Sequence, residues 1–151
     1  MVSPVRRRGD WPRTIIDTAT NLNAAFDLGA HAARTEGHSA ALLLPADLAT
    51  ITSADLDEFI RLGEAAGVAL ASDRAGTGTN AIWMPLAQPL RLGFGTGSFA
   101  NHRRDCVRMS VAPAAVNWPP LALDIDNPAD LERLRGTGEY ELLWSSESSV
   151  A

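Results

Sequence analysis

Short apolar or β-branched runs alternate along this chain with amphipathic stretches of about twelve residues, and no other feature limits its possible folds as much. Residues 40–44 form a continuous apolar run, the pattern of a strand covered on both faces. Similar runs follow at 68–71, 81–84, 111–116 (broken by Pro113) and 121–125, and the β-branched segment 13–17 is an earlier candidate. Between them, Leu22, Ala25, Phe26, Leu28, Ala32 and Ala33 approximate a 3.6-residue period that Gly37 closes. Thr52 with Asp55 makes a capping box for a helix through Leu56, Phe59, Ile60 and Leu62 to Ala66, with Gly67 as its stop. Ser98 opens another helix to about Met109, and Asn127, Pro128 and Asp130 announce a last one. Leu90 to Phe94 reads as a short extended connection. The expected architecture is α/β, with three Rossmann-like layers and a mostly parallel sheet. One domain spans 13–144, residues 1–12 form a loose arm, and the Ser-rich tail 145–151 is frayed.

Hydrophobic residues make up 46% and charged residues 21% of the 151, which argues against wholesale disorder. A formal charge of −5 excludes the basic footprint of a general nucleic-acid or anionic-membrane binder. No run reaches the roughly 18–20 apolar residues of a transmembrane helix. Arg6, Arg7 and Arg8 have no apolar segment behind them, so no secretory signal is expected. Cys106 is the one cysteine, which excludes an intramolecular disulfide and fits a reducing cytoplasm. All 13 basic residues are arginine, so no mechanism here uses a lysine amine.

In an open α/β sheet, ligands bind beyond the carboxyl ends of the strands. Those ends carry Asp47, Asp73 and Asp124-Ile125-Asp126. Asp47 reads either as a loop carboxylate capping the next turn or as a ligand of Mg²⁺, which takes one or two carboxylates and fills its shell with water and substrate phosphates. On a strand, Asp124 and Asp126 leave the same face roughly 7 Å apart, a spacing that suits one or two metal ions. The alternative is that Asp126 joins Asn127 in capping the last helix. Gly76-Thr77-Gly78-Thr79-Asn80 is either a common turn or a cradle of N–H and hydroxyl groups for an anion. Gly95-Thr96-Gly97-Ser98 pairs flexible backbone with a helix N-terminus, against the plainer reading of Ser98 as an ordinary N-cap. No lysine follows either glycine loop, so neither is a Walker loop. His102 shares a helix face with Ser98 and reads as packing behind the site rather than as a phosphate contact. His31 and His38 read as surface residues, and Cys106 as a buried thiol.

These segments, in this order, resemble the guanylyltransferases that make the phospholactyl or enolpyruvyl precursor of coenzyme F-420. The shared blocks are Asn21-Leu22-Asn23-Ala24-Ala25, Leu43-Leu44-Pro45-Ala46-Asp47-Leu48, and Asp73 through Ala81. Phe94-Gly95-Thr96-Gly97-Ser98-Phe99 with His102, and Leu121 through Pro128, complete them. The resemblance implies a glycosyltransferase-A-like nucleotidyltransferase that joins GTP to phosphoenolpyruvate or 2-phospho-L-lactate and releases pyrophosphate. It implies that Thr79, Gly95 and Ser98 bind the phosphorylated acid, and that Asp47, Asp124 and Asp126 hold magnesium.

The family begins with a strand and a basic loop that grips the triphosphate. This sequence has neither, so an N-terminally shortened fold is expected, with the first segment corresponding at best to the third strand. Asn21 also stands where the family usually has glycine. Loss of the first strand would leave residues 40–44 unpaired along one edge, an invitation to association between copies. Three readings follow: an active guanylyltransferase, a non-catalytic remnant that binds the phosphorylated acid without the nucleotide, and an interaction module using the open edge.

Overall fold

The computed structural model describes residue 15 and residues 21–135. The expected strand at 13–17 (Ile15 apart), the N-terminal arm and the C-terminal tail lie outside them. Elements follow in the order α1 (Leu22–Thr35), β1 (Ala40–Leu43), α2 (Ser53–Ala66), β2 (Ala69–Ser72), β3 (Thr79–Pro85), α3 (Ser98–Arg108), β4 (Ala114–Val116), α4 (Pro119–Ala122) and α5 (Pro128–Arg135). Asn21 caps α1 by accepting from the Ala24 amide, and the Thr52–Asp55 capping box forms at α2. Gly67, at φ 84°, takes the left-handed conformation that ends α2.

The four strands are ordered β1-β3-β2-β4. The sheet is mixed rather than mostly parallel: β3 runs antiparallel to both β1 and β2, and only β2 and β4 pair in parallel. The reason is the connection. Parallel neighbours need a crossover of a dozen or so residues, whereas residues 73–78 are all that join β2 to β3. A second correction concerns 121–125. Pro119 and Pro120 preset a helical turn, so Leu121 and Ala122 belong to α4, and Asp124 keeps only an isolated antiparallel bridge to Leu48. At the other end of the sheet, the outer edge of β1 has no strand partner among the described residues.

Helices cover both faces, giving three layers. Side chains alternate along each strand, so Leu43, Leu70, Ile82 and Met84 face Ala30 of α1 and Cys106 of α3. Ala69, Ala71 and Ala81 face Phe59 of α2 and Leu121 of α4. The second face carries Trp83 beside these alanines, and Gly63 of α2 sits directly against its ring. A Cβ on Gly63 would lie 2.5 Å from Cδ2 and 2.6 Å from Cε3 of Trp83. Gly63→Ala is therefore expected to destabilise the fold by about 1–3 kcal/mol through overpacking, despite a helix-propensity gain of about 1 kcal/mol. Urea unfolding of the two proteins checks this, and an unchanged or higher midpoint would refute the close contact.

Candidate active site

Four chain segments converge where β1 and β2 end and β3 begins. They surround a cleft of about 370 Å³ lined by Asp47, Asp73, Thr77 to Asn80, Phe94 to Thr96, Asp124 and Asp126, with Leu22 and Pro45 at its margin. Asp47 and Asp124 are brought together by backbone: the Ile125 amide donates to the Asp47 carbonyl at 3.1 Å, beside the Leu48–Asp124 bridge. Asp47, Asp124, Asp126, Thr79 and Gly95 thus meet in one place. No arginine or histidine is among the described residues lining it.

Asp73, which follows β2, is committed to its own loop. Its carboxylate accepts from the Thr77 amide at 2.8 Å, the Gly78 amide at 2.8 Å and the Thr77 hydroxyl at 3.1 Å. Burial works against this carboxylate, but these bonds, with one from Gly76, outweigh it and hold the carboxyl below its ordinary range. A Cβ at Gly78 would lie 2.8 Å from Asp73 Oδ2, so the loop closes this tightly only with glycine there. The loop is anchored in turn by the Phe99 amide, which donates to the Thr77 carbonyl at 3.1 Å.

The β2–β3 register shifts at this point. Ala71 pairs with Ala81 and Ser72 with Thr79, which leaves Asn80 as the extra residue of a β-bulge. Thr79 and Asn80, neighbours in sequence, consequently both line the cleft. Asn80 is 6% exposed and its Nδ2 has no hydrogen-bond partner among the described residues. A buried amide without a partner is costly, and a ligand oxygen in the cleft would satisfy it.

Ser98 is not the N-cap of α3. Gly97 is, at φ 76°, a conformation that favours glycine. Ser98 is fully buried behind Thr79, to whose oxygen its hydroxyl donates at 3.1 Å, and it does not line the cleft itself. Two amides at the helix start are also spent within the protein: Ser98 on the Gly95 carbonyl and Phe99 on Thr77. The α3 terminus therefore offers less to an anion than the sequence suggested. At α5, Asn127 supplies the cap, accepting from the amides of Ala129 and Asp130, which leaves Asp126 to the cleft.

Asn23 was not among the expected functional residues. Its side-chain amide exchanges both its bonds with the Phe94 backbone, accepting at 2.6 Å and donating at 3.3 Å, and so ties α1 to the loop that carries Gly95. Phe94 packs on Phe26 with ring centroids 4.7 Å apart.

Burial, then the charges of Asp126, Asp73 and Asp130, hold the Asp124 carboxyl above its usual range, against the pull of its own amide. Carboxylate oxygens are hard donors that suit magnesium, and a cation would relieve this crowding of like charges. Among the described residues no three His, Cys, Asp or Glu side chains close into a ready metal cage. Magnesium does not require one, since water and substrate phosphates complete its shell. The donor set fits.

The mixed sheet and its covering helices make a small α/β domain that resembles the nucleotidyltransferase, glycosyltransferase-A-like fold. A crystal structure from Desulfovibrio desulfuricans G20, described as a candidate nucleotide-diphospho-sugar transferase, shares this fold with a TM-score of 0.64 at 15% identity, over 87% of this chain and 62% of that one. The chain belongs to the CofC-like guanylyl transferase family, whose model, "Guanylyl transferase CofC like", matches residues 9–143. It is 38% identical over 118 residues to the phosphoenolpyruvate guanylyltransferase of Rubrobacter xylanophilus, covering 78% of this chain and 58% of that protein. The enzyme of the same name from Sphaerobacter thermophilus is 34% identical over 122 residues, covering 81% and 59%. The 3-phospho-D-glycerate guanylyltransferase of Phenylobacterium zucineum is 36% identical over 117 residues, covering 76% and 54%. The chain thus spans little more than half the length of these curated relatives. No described helix is long and apolar enough to cross a membrane.

Proposed function

We propose that this chain carries the acid-substrate side of a guanylyltransferase that joins GTP to phosphoenolpyruvate, or to 2-phospho-L-lactate as second candidate, in making the coenzyme F-420 precursor. The observation that carries this reading is the convergence of Asp47, Asp124 and Asp126 with Thr79 and Gly95 on one cleft. In the reaction, an oxygen of the substrate phosphate attacks the α-phosphorus of GTP, a new P–O bond forms, and the bond to the β-phosphate breaks to release pyrophosphate. No protein nucleophile takes part. Magnesium, held by Asp47, Asp124 and Asp126, would supply charge neutralisation between the two anions. The carboxylates make the cleft repel a bare phosphorylated acid, so binding depends on the cation. The Thr79 hydroxyl and the Asn80 amide orient the acid, Gly95 lines the cleft beside them, and Ser98 supports Thr79 from behind.

The absence of basic side chains among the described lining residues favours a second reading, in which the acid binds here without the nucleotide. Pyrophosphate release from GTP plus phosphoenolpyruvate with magnesium separates the two. Turnover above background supports the transferase. Well-folded chain that binds phosphoenolpyruvate and neither binds GTP nor releases pyrophosphate establishes the second reading instead.

A further inference from the structure

We infer that His102 is a positioning residue that fixes which way the Thr79 hydroxyl donates. His102 is 1% exposed, on the turn of α3 that follows Ser98. One ring nitrogen, Nε2, receives the Gly93 amide at 3.2 Å, and the other, Nδ1, lies 2.9 Å from Thr79 Oγ1. A backbone amide can only donate, so Nε2 must carry a lone pair. A neutral imidazole with Nε2 unprotonated has its proton on Nδ1. Burial favours the neutral ring, although Asp105 pulls the other way.

The remaining assignments follow. Nδ1–H donates to Thr79 Oγ1, and the Ser98 hydroxyl donates to the same oxygen at 3.1 Å. Thr79 thus accepts twice, and its own proton is left for whatever occupies the cleft it lines. A hydroxyl that would otherwise donate or accept becomes a donor only. It suits a carboxylate or phosphate oxygen and disfavours a ligand that presents an N–H or O–H at that point. The polarity originates at a peptide amide, which cannot be reversed. Edge contact with Phe94, centroids 5.5 Å apart, holds the ring in plane for both bonds.

The identity of the ligand rests on the function proposed above, whereas the ring's protonation does not. Nitrogen-15 correlation spectra of the labelled full chain read the tautomer directly. The expected result is a neutral His102 protonated on Nδ1, opposite to the form free imidazole side chains prefer. Protonation on Nε2, or a charged ring at neutral pH, overturns the inference whether or not the chain binds phosphoenolpyruvate. The second arm compares phosphoenolpyruvate affinity, with magnesium, of His102→Asn and His102→Gln. Asparagine keeps a donor near the position of Nδ1 and should stay within about threefold of the parent. Glutamine reaches toward Gly93 instead and should lose about tenfold. If His102 only filled space, glutamine, the closer in size, would be the milder change, and that order would refute the proposal. A parent chain that binds no phosphoenolpyruvate refutes the proposed function alone, and the spectra still decide the role of His102.

Discussion

Asp124→Asn is expected to weaken magnesium-dependent phosphoenolpyruvate binding by about a hundredfold, or about 2.7 kcal/mol, while the metal-free protein becomes slightly more stable. Both effects come from the same crowding. Burial and the charges of Asp126, Asp73 and Asp130 raise the Asp124 carboxyl above its ordinary range, so the folded state favours its protonated form. An acid raised on folding binds protons more readily in the native state, so stability falls as pH rises through the folded pKa. At neutral pH, without a cation, Asp124 is therefore a liability, and asparagine removes it. With magnesium present the sign reverses, because the amide offers a weaker and neutral oxygen. Calorimetric titrations with and without magnesium, beside thermal unfolding without it, measure both halves. Equal magnesium-dependent affinity in the variant would remove Asp124 from the metal site, and a lower metal-free melting temperature would contradict the crowding.

Asp73→Ala should cost about 2–4 kcal/mol of folding stability, from the loss of three charge-assisted hydrogen bonds, discounted because the carboxylate is only partly buried. The loop it organises lines the cleft, so ligand binding should fall with it. Asp73→Asn keeps an acceptor oxygen and should recover part of the loss. The pH dependence runs opposite to that of Asp124. Asp73 is lowered on folding, so its contribution is present above the ordinary carboxylate range and is lost as the pH falls through its folded pKa. Urea unfolding of both variants at pH 7 and in mild acid tests this. An alanine variant as stable as the parent would show that the loop holds its shape without the carboxylate.

How far the sequence could be read depended on whether the relevant signal was local. Helix boundaries at Thr52, Gly67 and Asn127 were legible because caps are short-range chemistry, and the structure forms each of them, whereas the Asn21 cap of α1 was not read from the sequence. The mixed sheet was misread for want of a distance rule: two strands joined by residues 73–78 must run antiparallel, however regular the alternation with helices elsewhere. Two prolines at 119 and 120 turned an apolar run that read as strand into a helical turn. Asp47, Asp124 and Asp126 were visible because acids just past apolar runs stand out. Ser98, expected from the sequence to bind the phosphorylated acid, lies buried behind Thr79 and donates to its oxygen, and Gly97 rather than Ser98 caps α3. Asn80 stood in the sequence only as the end of a glycine–threonine loop, and Asn23 only within a shared block, with no role given to either side chain. The first depends on a bulge, which no single-strand pattern records, and the second on a contact with Phe94 across 71 residues.

Whether the cleft takes a phosphorylated three-carbon acid through a cation is tested by following backbone amide resonances of the full chain during titration with phosphoenolpyruvate, once with magnesium and once with a chelator. The expected result is saturable shifts concentrated in residues 77–80 and 94–98, present with magnesium and absent without it. Shifts that persist in the chelator, that gather elsewhere on the fold, or that fail to develop at saturating ligand would contradict the assignment of Asp47, Asp124 and Asp126 as the cation-holding wall of a substrate site.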